Sequence, residues 1–317
     1  MVMNGMMFAA GLLYLALGAE VLVRGASQLA ARFRVPSLVI GLTVVAFGTS
    51  MPEFVVTVAA SAQGNSAVAL GNVVGSNMFN ILAILGPAAI IAPLVVRAVV
   101  VRREVPILIG VTLAFPLLLL NSRLGRLEGA ILLLGLFAYV WLSLRFSRRE
   151  APEIAEEYDH LLEDESEPTT GRNIAYIVAG VVLLVGGGHL LVEAAVSMAH
   201  AMGVSGRVIG LTLVAAGTSL PELATTLIAV LRRETDIAVG NVIGSNIFNL
   251  LGIAGVASLI HPIEAPAAVL YFDLPVLALA TLATFPILLS GQRVSRLEGV
   301  LLTTAFVVYV AVLIYFR

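Results

Sequence analysis

Two glutamates stand where a membrane-crossing helix least tolerates a charge. Glu53 closes the run Gly48-Thr49-Ser50-Met51-Pro52-Glu53, and Glu222 closes Gly217-Thr218-Ser219-Leu220-Pro221-Glu222, 169 positions later. Each sits inside an apolar stretch long enough to span a bilayer, where an ionised carboxylate costs about 2.5–3.5 kcal/mol and no arginine lies within the apolar interior to pair with it. Proline at 52 offers no N–H to the carbonyl of Gly48, and Pro221 offers none to Gly217. Both helices are therefore expected to open there, leaving carbonyl oxygens free at mid-depth. Thr49, Ser50, Glu53 and Thr57 project to one side of a helix, as do Thr218, Ser219, Glu222 and Thr226. The following stretch in each half adds Asn72, Ser76 and Asn80 at spacings of four, matched by Asn241, Ser245 and Asn249.

Everything offered is oxygen or amide. Such a set suits hard cations such as Ca²⁺ or Na⁺, whereas zinc or copper would call for histidine or cysteine. The chain has no cysteine, and His160, His189, His200 and His261 are scattered. His189 occupies the repeat position of Glu20 and is read as a hydrogen-bonded structural residue. One carboxylate from each half and one divalent cation sum to zero charge. Gly71 and Gly75 are read as a small-residue pair for close helix packing.

The elements that must position these groups follow from composition. Hydrophobic residues make up 59% of 317 and charged residues 12%, with a mean hydropathy of +1.02. That describes an integral membrane protein with several spans. The first run, Met6 to Val23, has no basic residue ahead of it and no small-residue cleavage pattern, so it reads as a span and not a signal peptide. Five runs precede a polar middle, at about 6–28, 37–62, 66–95, 105–121 and 127–145; five follow it, at about 173–200, 206–231, 236–260, 271–290 and 297–316. The 169-residue offset holds from Gly18/Gly187 to Asn80/Asn249. It becomes 170 at Arg126-Leu127-Glu128-Gly129 and Arg296-Leu297-Glu298-Gly299, so one residue is inserted between. An odd number of spans per copy sends the second copy in from the opposite side, an arrangement of inverted repeats.

All 18 basic residues are arginine. With the N-terminus outside, fourteen of them fall on the cytoplasmic side and only Arg123, Arg126, Arg207 and Arg317 on the other, which places both termini outside. The reading divides the chain into repeats at 1–146 and 173–317, joined by an acidic cytoplasmic segment, 147–172, that carries Glu150, Glu153, Glu156, Glu157, Asp159, Glu163, Asp164, Glu165 and Glu167. That segment reads as a solvated linker; it lacks the spaced ligands and glycine of an EF-hand loop.

Gly-Thr-Ser-x-Pro-Glu followed by Gly-Asn-x-x-Gly-Ser-Asn-x-x-Asn, once in each half, resembles the alpha repeats of the sodium/calcium exchanger family within the calcium/cation antiporter superfamily. The resemblance covers most of the chain. It implies an all-α membrane protein of ten transmembrane helices, in which discontinuous helices 2 and 7, with their neighbours 3 and 8, surround a central cation site and the first and sixth spans slide across that core. Carried over by position, it makes Glu53 and Glu222 the central ligands and Thr49, Ser50, Thr218 and Ser219 hydroxyl or carbonyl ligands. Ser76, Asn80, Ser245 and Asn249 flank them, and the backbone carbonyls of Ala46 and Ala215 serve outlying Na⁺ positions. Some relatives have aspartate at the last motif position, where this chain has Asn80 and Asn249; two carboxylates are balanced by one Ca²⁺ or two Na⁺.

The function implied is antiport of Na⁺ against Ca²⁺ by alternating access, with no cofactor, no nucleic acid, no obligate protein partner and the bilayer as surroundings, in the plasma (inner) membrane. Protons are expected to compete for the pair. A proton/calcium exchanger would use the same glutamates and stays open as the alternative. A channel fits inverted repeats with broken helices less well, and an intramembrane hydrolase lacks any His-Glu-x-x-His or Gly-x-Ser-x-Gly run.

Overall fold

The structure, a computed structural model, describes residues 2–33, 35–162, 170–202, 215–289 and 291–316. In the first half these form α1 (Val2–Phe33), α2 (Ser37–Thr49), α3 (Met51–Ala62), α4 (Ser66–Ile91), α5 (residues 100–119) and α6 (Arg126–Leu162). The second half gives α7 (Thr170–Ala201), a short turn at Ala215–Gly217, α8 (Leu220–Leu231), α9 (Thr235–Ile260), α10 (Val269–Leu289) and α11 (Arg296–Phe316). Among the described residues, seven helices are each long and apolar enough to cross a membrane, and α2 with α3 makes an eighth, bent span. Helix α5 falls short of that test because its last turns, Phe115–Leu119, wind as a 3₁₀ helix and shorten the continuous run. The seventh expected span begins in residues 203–214, outside the described residues; α8 is its second part.

The protein is an all-α membrane protein of two five-helix repeats with inverted topology. The first helices of the halves run antiparallel: Gly11 lies against Gly187 and Leu191, Gly18 against Gly180 and Leu184, and Gly25 against Asn173 and Ile177. This closeness depends on absent side chains. A Cβ at Gly18 would stand 2.8 Å from the Leu184 nitrogen and 2.9 Å from the Gly180 carbonyl oxygen. In membranes, where lipid and leucine are equally apolar, such backbone approach is what holds helices together.

Further ties repeat with the same symmetry. Two-residue strands β1 (Leu94–Val95), β2 (Arg123–Leu124), β3 (Ile263–Glu264) and β4 (Arg293–Val294) pair antiparallel as β1 with β4 and β2 with β3, so each pair joins one half to the other. Tyr139 donates a hydrogen bond to Glu104 at 3.0 Å, and Tyr309 to Asp273 at 3.2 Å, tying α5 to α6 and α10 to α11. The repeated Arg-Leu-Glu-Gly run caps helices: Glu128 accepts from the Gly125 N–H and Glu298 from the Ser295 N–H.

The inserted residue can be placed. Val111-Thr112-Leu113-Ala114-Phe115-Pro116 aligns with Ala280-Thr281-Leu282-Ala283-Thr284-Phe285-Pro286, making Thr284 the extra residue. The shorter copy compensates by winding Phe115–Leu119 as a 3₁₀ helix, which rises about 2.0 Å per residue against about 1.5 Å for an α-helix.

Two expectations need amendment. Helix α6 continues to Leu162, so the acidic segment starts as helix; Glu163, Asp164, Glu165 and Glu167 lie outside the described residues. The packing read for Gly71 and Gly75 is seen at their second-half counterparts, where Gly240 meets the Leu38 carbonyl and Gly244 the Leu42 carbonyl. The symmetry mates of Leu38 and Leu42 are Arg207 and Leu211, outside the described residues.

Gly18→Val should lower stability by about 1–3 kcal/mol through overpacking, seen as a lower melting temperature of the purified protein in detergent. Gly110→Val, on the exposed face of α5 with no described atom near its Cβ, is the control and should change it little.

Candidate functional site

The α2–α3 span bends by 49° at Ser50, which has φ −79° and ψ 9°. Ser219 opens α8 with φ −90° and ψ 8°, so both halves break at the same motif position. Pro52 and Pro221 sit in the first turn of the helix that follows, where a missing N–H breaks no bond of that helix and the ring's fixed φ favours a new start. The break thus places Ser50 and Glu53, and Ser219 and Glu222, at the head of new helices. Helices α4 and α9, the most enclosed of the spans, carry the asparagines past them. Asn80 and Asn249 each fall in a π-helical turn, Phe79–Ile84 and Phe248–Ile253, whose wider winding re-aims side chains and is frequent at functional sites.

The two halves interlock through their glutamates. Ser219 donates to Glu53 Oε1 at 2.6 Å, and Ser50 donates to Glu222 Oε1 at 2.7 Å. Each carboxylate is therefore held by a hydroxyl from the opposite repeat. Thr218 and Thr49 also lie in hydrogen-bond reach of Glu53 and Glu222, respectively. Both glutamates are 1% exposed. The Asn72 amide donates to the Glu53 carbonyl at 3.2 Å and to Thr57 Oγ1 at 2.8 Å, and Asn241 does the same to the Glu222 carbonyl at 3.3 Å and Thr226 Oγ1 at 3.0 Å.

What is left over matters more. Glu53 Oε2, Glu222 Oε2, the hydroxyls of Ser76 and Ser245, and both amide atoms of Asn80 and Asn249 are buried without a protein partner. Buried polar atoms are nearly always bonded, and an orphaned set calls for something to fill it. This set is rich in oxygen, includes a carboxyl group from each half, and so has the donor chemistry of a hard-cation cage.

Ten of the residues singled out from sequence, from Thr49 to Asn249, gather in or beside these motif turns. Ala46 is buried one turn before the break; its carbonyl accepts from the Ser50 N–H at 3.1 Å and from Thr49 Oγ1 at 3.3 Å. Ala215 begins the short turn ahead of Ser219. His189 takes no part, and its structural reading is corrected: it is exposed on α7, 3.8 Å from Glu193 one turn on. The bracing roles of Asn72 and Asn241 and the Glu104–Tyr139 tie were missed, although the 169-residue and 170-residue offsets that pair Glu104 with Asp273 and Tyr139 with Tyr309 carried the signal.

A family model described as sodium/calcium exchanger protein matches residues 4–145 and 172–315, both halves of the fold and nearly all of the chain. The chain belongs to the sodium/calcium exchanger family. It is 39% identical to CaxA of Alkalimonas amylolytica over 94% of this chain and 95% of that one. With the sodium/calcium exchanger MaX1 of Methanosarcina acetivorans it shares 32% identity over 98% and 99% of the two chains. Its fold is similar to a solved structure of the sodium-calcium exchanger NCX_Mj soaked with Na⁺ and Ca²⁺, at a TM-score of 0.84 and 28% identity over 98% of each chain. The family is one of membrane exchangers and not of enzymes.

Removing either cross-repeat hydroxyl should weaken this exchanger's core. Ser219→Ala and Ser50→Ala each delete a hydrogen bond to a buried carboxylate, a change of about 1.5–3 kcal/mol. The measurement is the melting temperature of the purified protein, and both variants should fall below wild type.

Proposed function

We propose that this protein exchanges Na⁺ for Ca²⁺ across the membrane by alternating access at a midplane site built on Glu53 and Glu222. The observation that carries the reading is the pair itself: two sealed carboxylates, each with one oxygen held by the other repeat's serine and one oxygen unfilled. One Ca²⁺ or two Na⁺ neutralises them, so the two cargoes compete for the same charge and one must leave before the other binds. Ser76, Asn80, Ser245 and Asn249 flank the carboxylates, while Thr49, Ser50, Thr218 and Ser219 add hydroxyl or carbonyl oxygens. The carbonyls of Ala46 and Ala215 serve Na⁺ at the margins. The names of MaX1 and NCX_Mj support Na⁺ as the coupling ion.

Exchange follows from electrostatics. An unfilled pair of buried carboxylates is strongly disfavoured in a low-dielectric span, so the carrier changes its facing readily only when neutralised. A proton also neutralises a carboxylate, and acid therefore competes with both cations. The arginine distribution supports both termini outside and the acidic segment 147–172 in the cytoplasm; the repeats are read as 1–146 and 173–317, and the membrane as the plasma (inner) one.

The test is Ca²⁺ flux in proteoliposomes under imposed Na⁺, H⁺ or K⁺ gradients. A Na⁺ gradient should drive Ca²⁺ movement, and Glu53→Gln and Glu222→Gln should each reduce it to background. Flux that follows only the proton gradient would assign the same site to proton/calcium exchange. Lowering the pH from neutral should weaken transport; a flat pH profile would count against shared carboxylates.

A further inference from the structure

We infer that Glu20 and Arg232 form a one-sided latch that holds the carrier shut on its cytoplasmic side, a latch that the mirrored positions on the outer side cannot form. The inference rests on the alternating access proposed above. In a protein of inverted repeats the halves exchange arrangements to open one side and then the other. A contact made by one half in one facing is then remade by the other half in the opposite facing.

Helix α1 lies along α8, whereas among the described residues its mate α7 makes no comparable packing on α3. Two polar ties fasten the first contact. Arg232, at the end of α8, donates through Nε to Glu20 Oε2 and pairs through Nη2 with Oε1, the two-pronged geometry that suits a guanidinium and a carboxylate. Two turns further along α1, Ser27 donates to Glu234 Oε1 at 2.5 Å. Because α1 and α7 are packed backbone to backbone at their glycines, a grip on α1 restrains both. The arginine distribution sets Arg232 and Glu234 at the cytoplasmic side.

The turn that carries these partners has the same backbone in both halves. The N–H groups of Arg232, Arg233 and Glu234 bond to the carbonyls of Ile228, Val230 and Ala229, and those of Gln63, Gly64 and Asn65 bond to Ala59, Ser61 and Ala60, the positions 169 earlier. Arg233 at φ 63° repeats Gly64 at φ 72°. Only the side chains differ. Glu20 and Arg232 correspond to His189 and Gln63, and Ser27 and Glu234 correspond to Val196 and Asn65, so neither mirrored pair can make the tie. Asn65 instead accepts from the Val68 N–H at 3.3 Å and caps its own helix, while Glu234 gives α9 no such cap and reaches α1. The ion pair therefore stabilises one closed side and not the other.

The test reads the facing of the full chain in proteoliposomes. The chain has no cysteine, and Ala229, one turn before Arg232, is fully buried, so Ala229→Cys gives a single site whose alkylation reports opening. With a membrane-impermeant maleimide on the Arg232 side, Glu20→Gln and Arg232→Gln should each raise the labelling rate about two- to fivefold, the range that a partly exposed ion pair supports. Joint reversal, Glu20→Arg with Arg232→Glu, should restore it. Added choline chloride should speed labelling of the intact pair and leave Arg232→Gln unchanged. Half-saturating Ca²⁺ should fall on the Arg232 side and rise on the opposite side, since a shift of population moves the two in opposite directions. Labelling that is unchanged in both single variants, reversal that does not restore it, or half-saturation that worsens on both sides would overturn the latch. Glu53→Gln is assayed alongside: undiminished transport there would overturn the exchange site itself, whereas its loss beside unchanged labelling of Glu20→Gln would overturn only the latch.

Discussion

Two carboxyl groups sealed in the middle of a membrane protein set the terms for everything around them. The glutamates come from opposite repeats, and each accepts a short hydrogen bond from the other repeat's serine. Such bonds to charged acceptors are among the stronger ones available to a protein, yet they do not cancel charge. The surrounding helices must therefore be broken at a set depth, braced across the break, and supplied with further oxygens. Proline supplies the break, asparagine the brace and the π-turns the re-aimed amides.

The remainder of the fold serves to keep two mirrored halves in register. Helices α1 and α7 meet along glycines, paired strands join the halves, and tyrosine–carboxylate bonds fasten the outer helices of each repeat. Most of these contacts recur under the same offset. Where the offset changes, at Thr284, the chain absorbs the difference by altering helical pitch in a peripheral segment, leaving the central motifs aligned.

Much of this was legible from residues alone. Proline two residues past a serine, in a run too apolar to be a loop, placed both breaks, because the missing N–H acts locally. The expected start of the second span at 37 and its end at 62 match Ser37 and Ala62 for the same reason: Pro36 and the Gly64-Asn65 turn bound it. Asn72 and Asn241 were visible as a face, but spacing cannot reveal that their amides reach a neighbouring helix's carbonyl. Glu104 was overlooked because its charge lies near a span's end, where an acidic residue is ordinary; only packing shows it buried against Tyr139. Helix α6 ran past its expected end since hydropathy marks where lipid stops and not where helical hydrogen bonding stops.

The exchanged serines have a consequence for ancestry. Neither five-helix unit contains a finished pocket, since each glutamate finds its donor in the opposite unit. A single such unit becomes complete only against a copy of itself inserted upside down, the situation of a dual-orientation homodimer. Fusion of two such genes would preserve that chemistry, and the two halves would then be free to diverge away from the pocket, as the placement of Thr284 and the contrast of Glu20 with His189 already record.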